Sequence, residues 1–161
     1  MDAIDRKIVT TLQKQGRITN VELARMNDLA PSSMLERVRR LEDKGIIKGY
    51  HAVLDPKAIG YQIQALVMLS LDRHQERGIE IFETGVLDVP EVKACFHVTG
   101  RYDYILHVAA RDIEHLGMLV KHKIAAIGGV EKQETFLVLS TVKEDDGFSL
   151  APLFEEPAEE R

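Results

Sequence analysis

What most constrains this chain is a change of hydrophobic period near residue 60. Before it, apolar residues recur at helical spacing: Ile4, Ile8 and Leu12 every four positions, then Met34 or Leu35, Val38 and Leu41. Beyond it, residues 62–71 alternate, with Ile63, Ala65, Val67, Leu69 and Leu71 on one face, the pattern of a half-buried strand. A helical unit is therefore expected first and a mixed one after it.

Charge divides at about the same place. The net charge of -5 argues superficially against nucleic acid, but residues 1–50 carry 10 Lys/Arg against 7 Asp/Glu, and residues 51–161 carry 11 against 19. A basic segment joined to an acidic remainder implies two units with different partners. No apolar stretch approaches the roughly 20 residues of a membrane span, and the amino terminus, Met1-Asp2-Ala3-Ile4-Asp5, does not read as a secretion signal. The lone Cys95 excludes an intrachain disulfide framework. A cytoplasmic protein without a membrane partner is expected.

Within residues 1–50, Asp2 is placed to cap a first helix that Gly16 ends. Thr19 and Glu22 form a capping box, and Ile18 and Leu23 flank it as a hydrophobic staple, so a short second helix starts at Asn20 and ends near Asn27-Asp28. Pro31 suits the first position of a third helix, over residues 31–44, which Gly45 closes. Its outward residues fall in two stripes, Ser33/Arg37/Arg40 and Ser32/Glu36/Arg39. Three short helices with a tight turn before the last make a helix-turn-helix, whose last helix enters the major groove. Arginine matches guanine edges and phosphates through its bidentate fork, and the hydroxyls of Ser32 and Ser33 can reach a phosphate. The DNA-binding candidates are thus Ser32, Ser33, Glu36, Arg37, Arg39 and Arg40, with double-stranded DNA as partner. The bland alternative is a solvated face on which Glu36 and Glu42 pair with Arg40 or Arg39 along the helix.

Residues 46–54 read as a short extended segment, and Asp55-Pro56 through Gly60 as a turn or hinge within a linker strand, 51–61. A helix over about 75–87 follows the first strand, with Ile79, Phe82 and Val86 at core spacing. Strands at 92–99 and 102–109, a helix at 113–124 and a last strand at 131–142 complete a βαββαβ order. The fold class is α+β: an N-terminal helix-turn-helix (winged-helix-like) domain, then a ferredoxin-like βαββαβ domain over residues 62–143. With helices on one side only, the other sheet face, including Leu66, Met68, Leu137 and Leu139, is substantially apolar and marks an interface. The acidic tail, 144–161, is read as mobile, though Phe148, Leu150, Leu153 and Phe154 offer a way to dock it on a neighbouring subunit.

Three stretches carry a family resemblance: Asp5-Arg6-Lys7-Ile8, the run from Gly16 to Ala24, and the run from Leu35 to Ile47. With Leu54-Asp55-Pro56 through Gly60, Gly100-Arg101-Tyr102-Asp103-Tyr104 and Gly128-Gly129-Val130, they resemble the Lrp/AsnC family of feast/famine regulators over residues 1 to about 144. The resemblance implies a transcriptional regulator that pairs through its second domain and assembles as a dimer, tetramer or octamer. Pairing would set two reading helices about one helical turn of DNA, roughly 34 Å, apart. It also implies a small effector, usually an amino acid, bound between dimers. Carried over by position, the effector residues are His97, Thr99, Gly100, Arg101, Tyr102, Asp103, Ile113, Phe136, Leu137 and Val138. Two departures stand out: Ala30 where the family often has a capping Ser, and Arg101 where it commonly has an acidic residue. Asp103 is suited to an α-ammonium group, and Arg101 either to a carboxylate or to a pair with Asp103.

No nucleophile–base arrangement or phosphate-cradling loop is evident, so no enzyme and no cofactor are expected. His97, His107 and Cys95 are the residues by which a metal site would be built, and none is expected. His115 and His122, seven apart, are expected to face solvent. The rival readings are an enzyme built on the second domain and an architectural DNA-binding protein without effector response.

Overall fold

A computed structural model describes residues 1–72 and 77–150. It divides the chain into two units. One holds Met1–Val53 with Lys143–Arg161, and the other is Leu54–Val142.

The first unit contains α1 (Ala3–Lys14), α2 (Asn20–Met26) and α3 (Pro31–Asp43). Asp2 caps α1 by accepting from the Asp5 N–H at 2.8 Å, and Asp5 reciprocates toward the Asp2 N–H. Thr19 and Glu22 close the same kind of box at α2. Asp28 takes a φ of 53° in the turn before α3, the left-handed conformation that Asp tolerates better than most residues. Ala30 leaves α3 without a side-chain cap, and Pro31 opens it. Ile8, Leu23, Ala24, Met34, Val38 and Leu41 form the core, with Leu12 and Ile18 packed against them. Of the two residues that could face inward, Met34 is buried and Leu35 is half-buried.

The second unit is a four-stranded antiparallel sheet in the order β2-β3-β1-β4, from β1 (Ile63–Leu71), β2 (Val92–His97), β3 (Tyr104–Ala110) and β4 (Val130–Leu137). The buried face of β1, Ala65, Val67, Leu69 and Leu71, joins Leu106 and Val108 of β3 in one core. Phe82 and Val86 of α4 (Gly78–Leu87) and Leu116 of α5 (Ile113–Met118) complete it. The Phe82 and Tyr104 rings meet at 4.7 Å between centroids, and the Tyr104 hydroxyl donates to Glu83 at 2.7 Å.

Several expected boundaries differ. Residues 51–61 form no strand: the Asp55 side chain accepts from the Lys57 N–H and the Tyr61 N–H reaches the Pro56 carbonyl, closing a turn. Residues 46–54 are likewise irregular. Ile79 is 54 % exposed rather than core, because α4 turns Gly78, Phe82 and Val86 inward. The helix expected over 113–124 is α-helical only to Met118, then continues as a π-helical segment, Leu119–Ile124. A turn widened to i→i+5 brings Leu119 and Ile124, five apart, into the same core. The last strand stops at Leu137, five residues short of the expected end, since β1 begins at Ile63 and supplies no further partner beyond the Val138 N–H to Gln64 bond. Leu139 and Val142 are 96 % exposed. Residues 75 and 76 of the expected helix lie outside the described residues, as do Leu153 and Phe154.

Candidate DNA interface and effector site

Ser32, Ser33 and Glu36 are exposed in the N-terminal half of α3 and Arg39 is exposed beyond them, and Arg39 has no ion pair among the described residues. Arg40 is exposed as expected and Arg37 is half-buried, but both are ion-paired to α1. Arg37 Nη1 donates to Asp2 at 2.6 Å and to Asp5 at 2.8 Å, while Arg40 Nη2 lies 3.0 Å from both oxygens of Asp5. Asp5 is 4 % exposed. A buried carboxylate requires such partners, since an unpaired charge would be expensive to desolvate. Helical spacing identifies which residues share a stripe, but not that a neighbouring helix sets acids against it. The Asp5 N–H and the Arg37 guanidinium hold the Asp2 carboxyl down at about 2. The same two acids raise Arg37 above its ordinary value, Asp2 having the larger effect.

The pairing along α3 considered for its glutamates does not form. Arg40 is committed to α1, and Glu42 instead accepts from the Tyr50 hydroxyl at 2.9 Å.

In the second unit, the loop between β2 and β3 is closed by the Val98 N–H to Asp103 carbonyl bond, with Gly100 at φ 123°. Asp103 bridges to β1: its N–H reaches the Leu69 carbonyl, and its carboxylate accepts from the Leu71 N–H, both at 2.8 Å. The loop is thereby pinned beside the end of β1. A cleft of about 360 Å³ opens there, lined by Ser70, Leu71, Asp72, Arg101, Tyr102, Asp103, Glu131, Lys132 and Glu134. Arg101 does not pair with Asp103. It lies 3.5 Å from Glu134 and 5.4 Å from the Tyr102 ring centre, and its side chain is 79 % exposed. The Glu134 hydrogen bond raises the Tyr102 hydroxyl above its usual value.

Of the ten expected effector residues, Arg101, Tyr102 and Asp103 line this cleft. Thr99 and Gly100 are exposed in the same loop. His97 stacks on Tyr104 at 4.7 Å. Ile113 starts α5 and is 61 % exposed, while Phe136 and Leu137 pair with Leu66 and Ala65, further along β1 from the loop. One chain alone does not gather these with the loop. No local signal in the sequence marks Glu131, Lys132 and Glu134 for this cleft. The alternation in this strand signals which residues share a face, but not that β4 is an edge lying beside Arg101.

His97, His107 and His115 each have a structural partner. Cys95 and His97 pair with Leu106 and Tyr104, whereas His107 pairs with Ala94, so the pleat puts His107 on the opposite face from Cys95 and His97. His107 instead meets Gln64 at 2.8 Å. Burial, then nearby Glu83, raises the Cys95 thiol. Among the described residues no three His, Cys, Asp or Glu side chains gather as a metal site. His115 is not solvent-facing: its Nδ1 accepts from the Arg111 N–H and its Nε2 lies 3.4 Å from Glu91. Lys123 also reaches Glu91, at 2.6 Å. Burial pushes the Glu91 carboxyl up, but the hydrogen bond from Lys123, aided by its own backbone N–H and His115, leaves it below its usual value.

Residues 1–48 match the winged helix-turn-helix DNA-binding family, and residues 64–148 match the Lrp/AsnC ligand binding domain. The chain belongs to the Lrp/AsnC family. The leucine-responsive regulatory protein of Escherichia coli K12 is 37 % identical over 146 residues, covering 91 % of this chain and 89 % of the relative. A transcriptional regulator from Neisseria meningitidis, solved as a complex with L-Met, superposes with a TM-score of 0.90 at 34 % identity, over 95 % of this chain and 99 % of that one. Escherichia coli AsnC gives a TM-score of 0.81 at 26 % identity, over 89 % and 95 %. This Lrp/AsnC chain is a DNA-binding transcriptional regulator with a ligand-binding domain, and its relatives are regulators rather than enzymes. No helix among the described residues is long and apolar enough to cross a membrane.

Proposed function

We propose that the protein is a homo-oligomeric, sequence-specific regulator whose DNA affinity is set by an amino acid bound at the 99–103 loop. Ser32, Ser33, Glu36 and Arg39 make the direct DNA contact. Arg37 and Arg40 hold α3 against α1, and Arg40, with 47 % of its side chain exposed, retains N–H groups for a phosphate.

The observation that carries the effector reading is the mixed charge of the cleft. Arg101 and Lys132 stand beside Asp103, Glu131 and Glu134, a lining suited to a zwitterion. Arg101 takes the α-carboxylate and Glu134 or the free oxygen of Asp103 takes the α-ammonium. The Neisseria regulator bound to L-Met supports the class of ligand. Thr99 and Gly100 offer the exposed backbone of the same loop, and His97, Ile113, Phe136, Leu137 and Val138 complete the site across a subunit boundary, because one chain does not bring them to the cleft.

Assembly uses the open sheet face. Strand register aligns Phe96, Ile105, Met68 and Glu134 in one row and Ala94, His107, Leu66 and Phe136 in the next. Phe96 is 54 % and Phe136 48 % exposed, an apolar face that a second subunit would cover. Thermal unfolding with a panel of amino acids, methionine and leucine included, tests the effector reading. At least one should raise the transition, by mass action on the folded state, and none doing so would reject it.

A further inference from the structure

The chain leaves the reading head after Val53 and contributes to it again from Lys143. Where it returns, the contact is built rather than incidental. The Gln13 side-chain amide of α1 pairs with both backbone groups of Phe148: the Phe148 N–H donates to Gln13 Oε1 at 2.7 Å, and Gln13 Nε2 donates to the Phe148 carbonyl at 3.1 Å. A primary amide offers one acceptor and a donor side by side, so it substitutes for a neighbouring strand. Asp145 shapes the approach by accepting from the Gly147 N–H at 3.0 Å. Gly147 itself stands at φ 94°, and a Cβ there would lie 2.4 Å from Gln13 Oε1. A side chain at 147 would displace the very oxygen that holds Phe148. Beside the clamp lies an apolar groove of about 500 Å³, lined by Val9, Leu12, Ile46 and Tyr50 on the head and by Phe148 and Leu150 of the segment.

We propose that this surface of the head is a docking site for the chain's own segment 147–150, and that docking brings the acidic run Glu144, Asp145 and Asp146 against a basic DNA-binding unit, where it competes with DNA phosphate. The occupant is this segment because two backbone hydrogen bonds, a glycine-only approach and an Asx turn coincide at one side chain. The effect follows from charge: the head's Lys/Arg excess is small, so three carboxylates held beside it remove much of its attraction for a polyanion. The inference rests on the DNA-binding activity of the family and not on the effector reading.

The test uses the full-length chain and its Gln13→Ala and Gly147→Val variants. Hydrogen exchange should show the Phe148 amide protected in the unaltered protein and released in both variants, with exchange across α3 unchanged. Both variants should bind random-sequence DNA roughly threefold tighter at low salt, a gain that shrinks as salt screens the carboxylates. Replacing Glu144, Asp145 and Asp146 with Asn or Gln should reproduce the tighter binding. An unprotected Phe148 amide in the unaltered protein would overturn the docking. Release of the segment with no change in DNA affinity would overturn the competition, as would a gain that persists at high salt.

Discussion

Asp5 of α1 accepts from Arg37 of α3 at 2.8 Å while only 6 % of its own side chain is exposed. It also accepts from Arg40, so one carboxylate anchors two arginines of the helix expected to read DNA. The pairing assigns different tasks to residues that look equivalent along α3. Arg37 and Arg40 are spent largely on placing the helix, and Arg39 is free to contact the duplex.

Replacing Asp5 with Ala should therefore destabilise the head by about 2 kcal/mol, because the buried carboxylate that joins the two helices is lost, Arg40 loses its acidic partner and Arg37 keeps only Asp2. Arg37→Ala should also lower the head's unfolding transition. Arg39→Ala should leave that transition in place while weakening specific DNA binding by about 1–3 kcal/mol. Thermal unfolding and operator titration of the three variants check the division. Equal unfolding transitions for all three would contradict it.

The same network predicts an acid limb. Asp2 is depressed from 3.8 to about 2 in the folded head, so its contribution is complete above its unfolded value and is lost as pH falls toward 2. The head should lose stability between about pH 4 and 2, and Asp2→Asn should flatten that part of the profile. Chemical denaturation at stepped pH measures it.

At the cleft, Arg101→Ala should weaken effector binding by about 1–3 kcal/mol if the guanidinium holds a carboxylate. It should leave DNA affinity without effector unchanged, since Arg101 is exposed and only loosely paired with Glu134. Isothermal titration followed by a DNA-binding assay separates the two.

The open sheet face predicts an assembly defect. Phe136→Asp places a charge in the row with Leu66 and His107, and should shift the protein to a smaller species in sedimentation velocity while the buried face keeps its fold.

Much of this was legible from local chemistry. Thr19 with Glu22, Pro31, and the alternation from Ile63 to Leu71 are short-range signals, and each element begins where its own residues direct. What failed depended on distant partners. Nothing near Arg37 in sequence announces Asp2 and Asp5, thirty-odd residues away. Ile79 has core spacing with Phe82, but the sheet meets the other side of α4. Residues 138–142 continue a strand-like alternation after β1 has run out of partners. Glu134 became part of the cleft only because β4 lies beside β1, a pairing that topology decides.

The reading of the protein as an effector-controlled, sequence-specific regulator is tested by titrating the full-length protein with a selected operator and with random DNA at one salt concentration, with and without saturating amino acid. The operator should bind at least about 10³-fold tighter than random DNA, and the effective amino acid should change operator affinity by roughly 5- to 150-fold. Equal affinity for both DNAs, untouched by any amino acid, would contradict it.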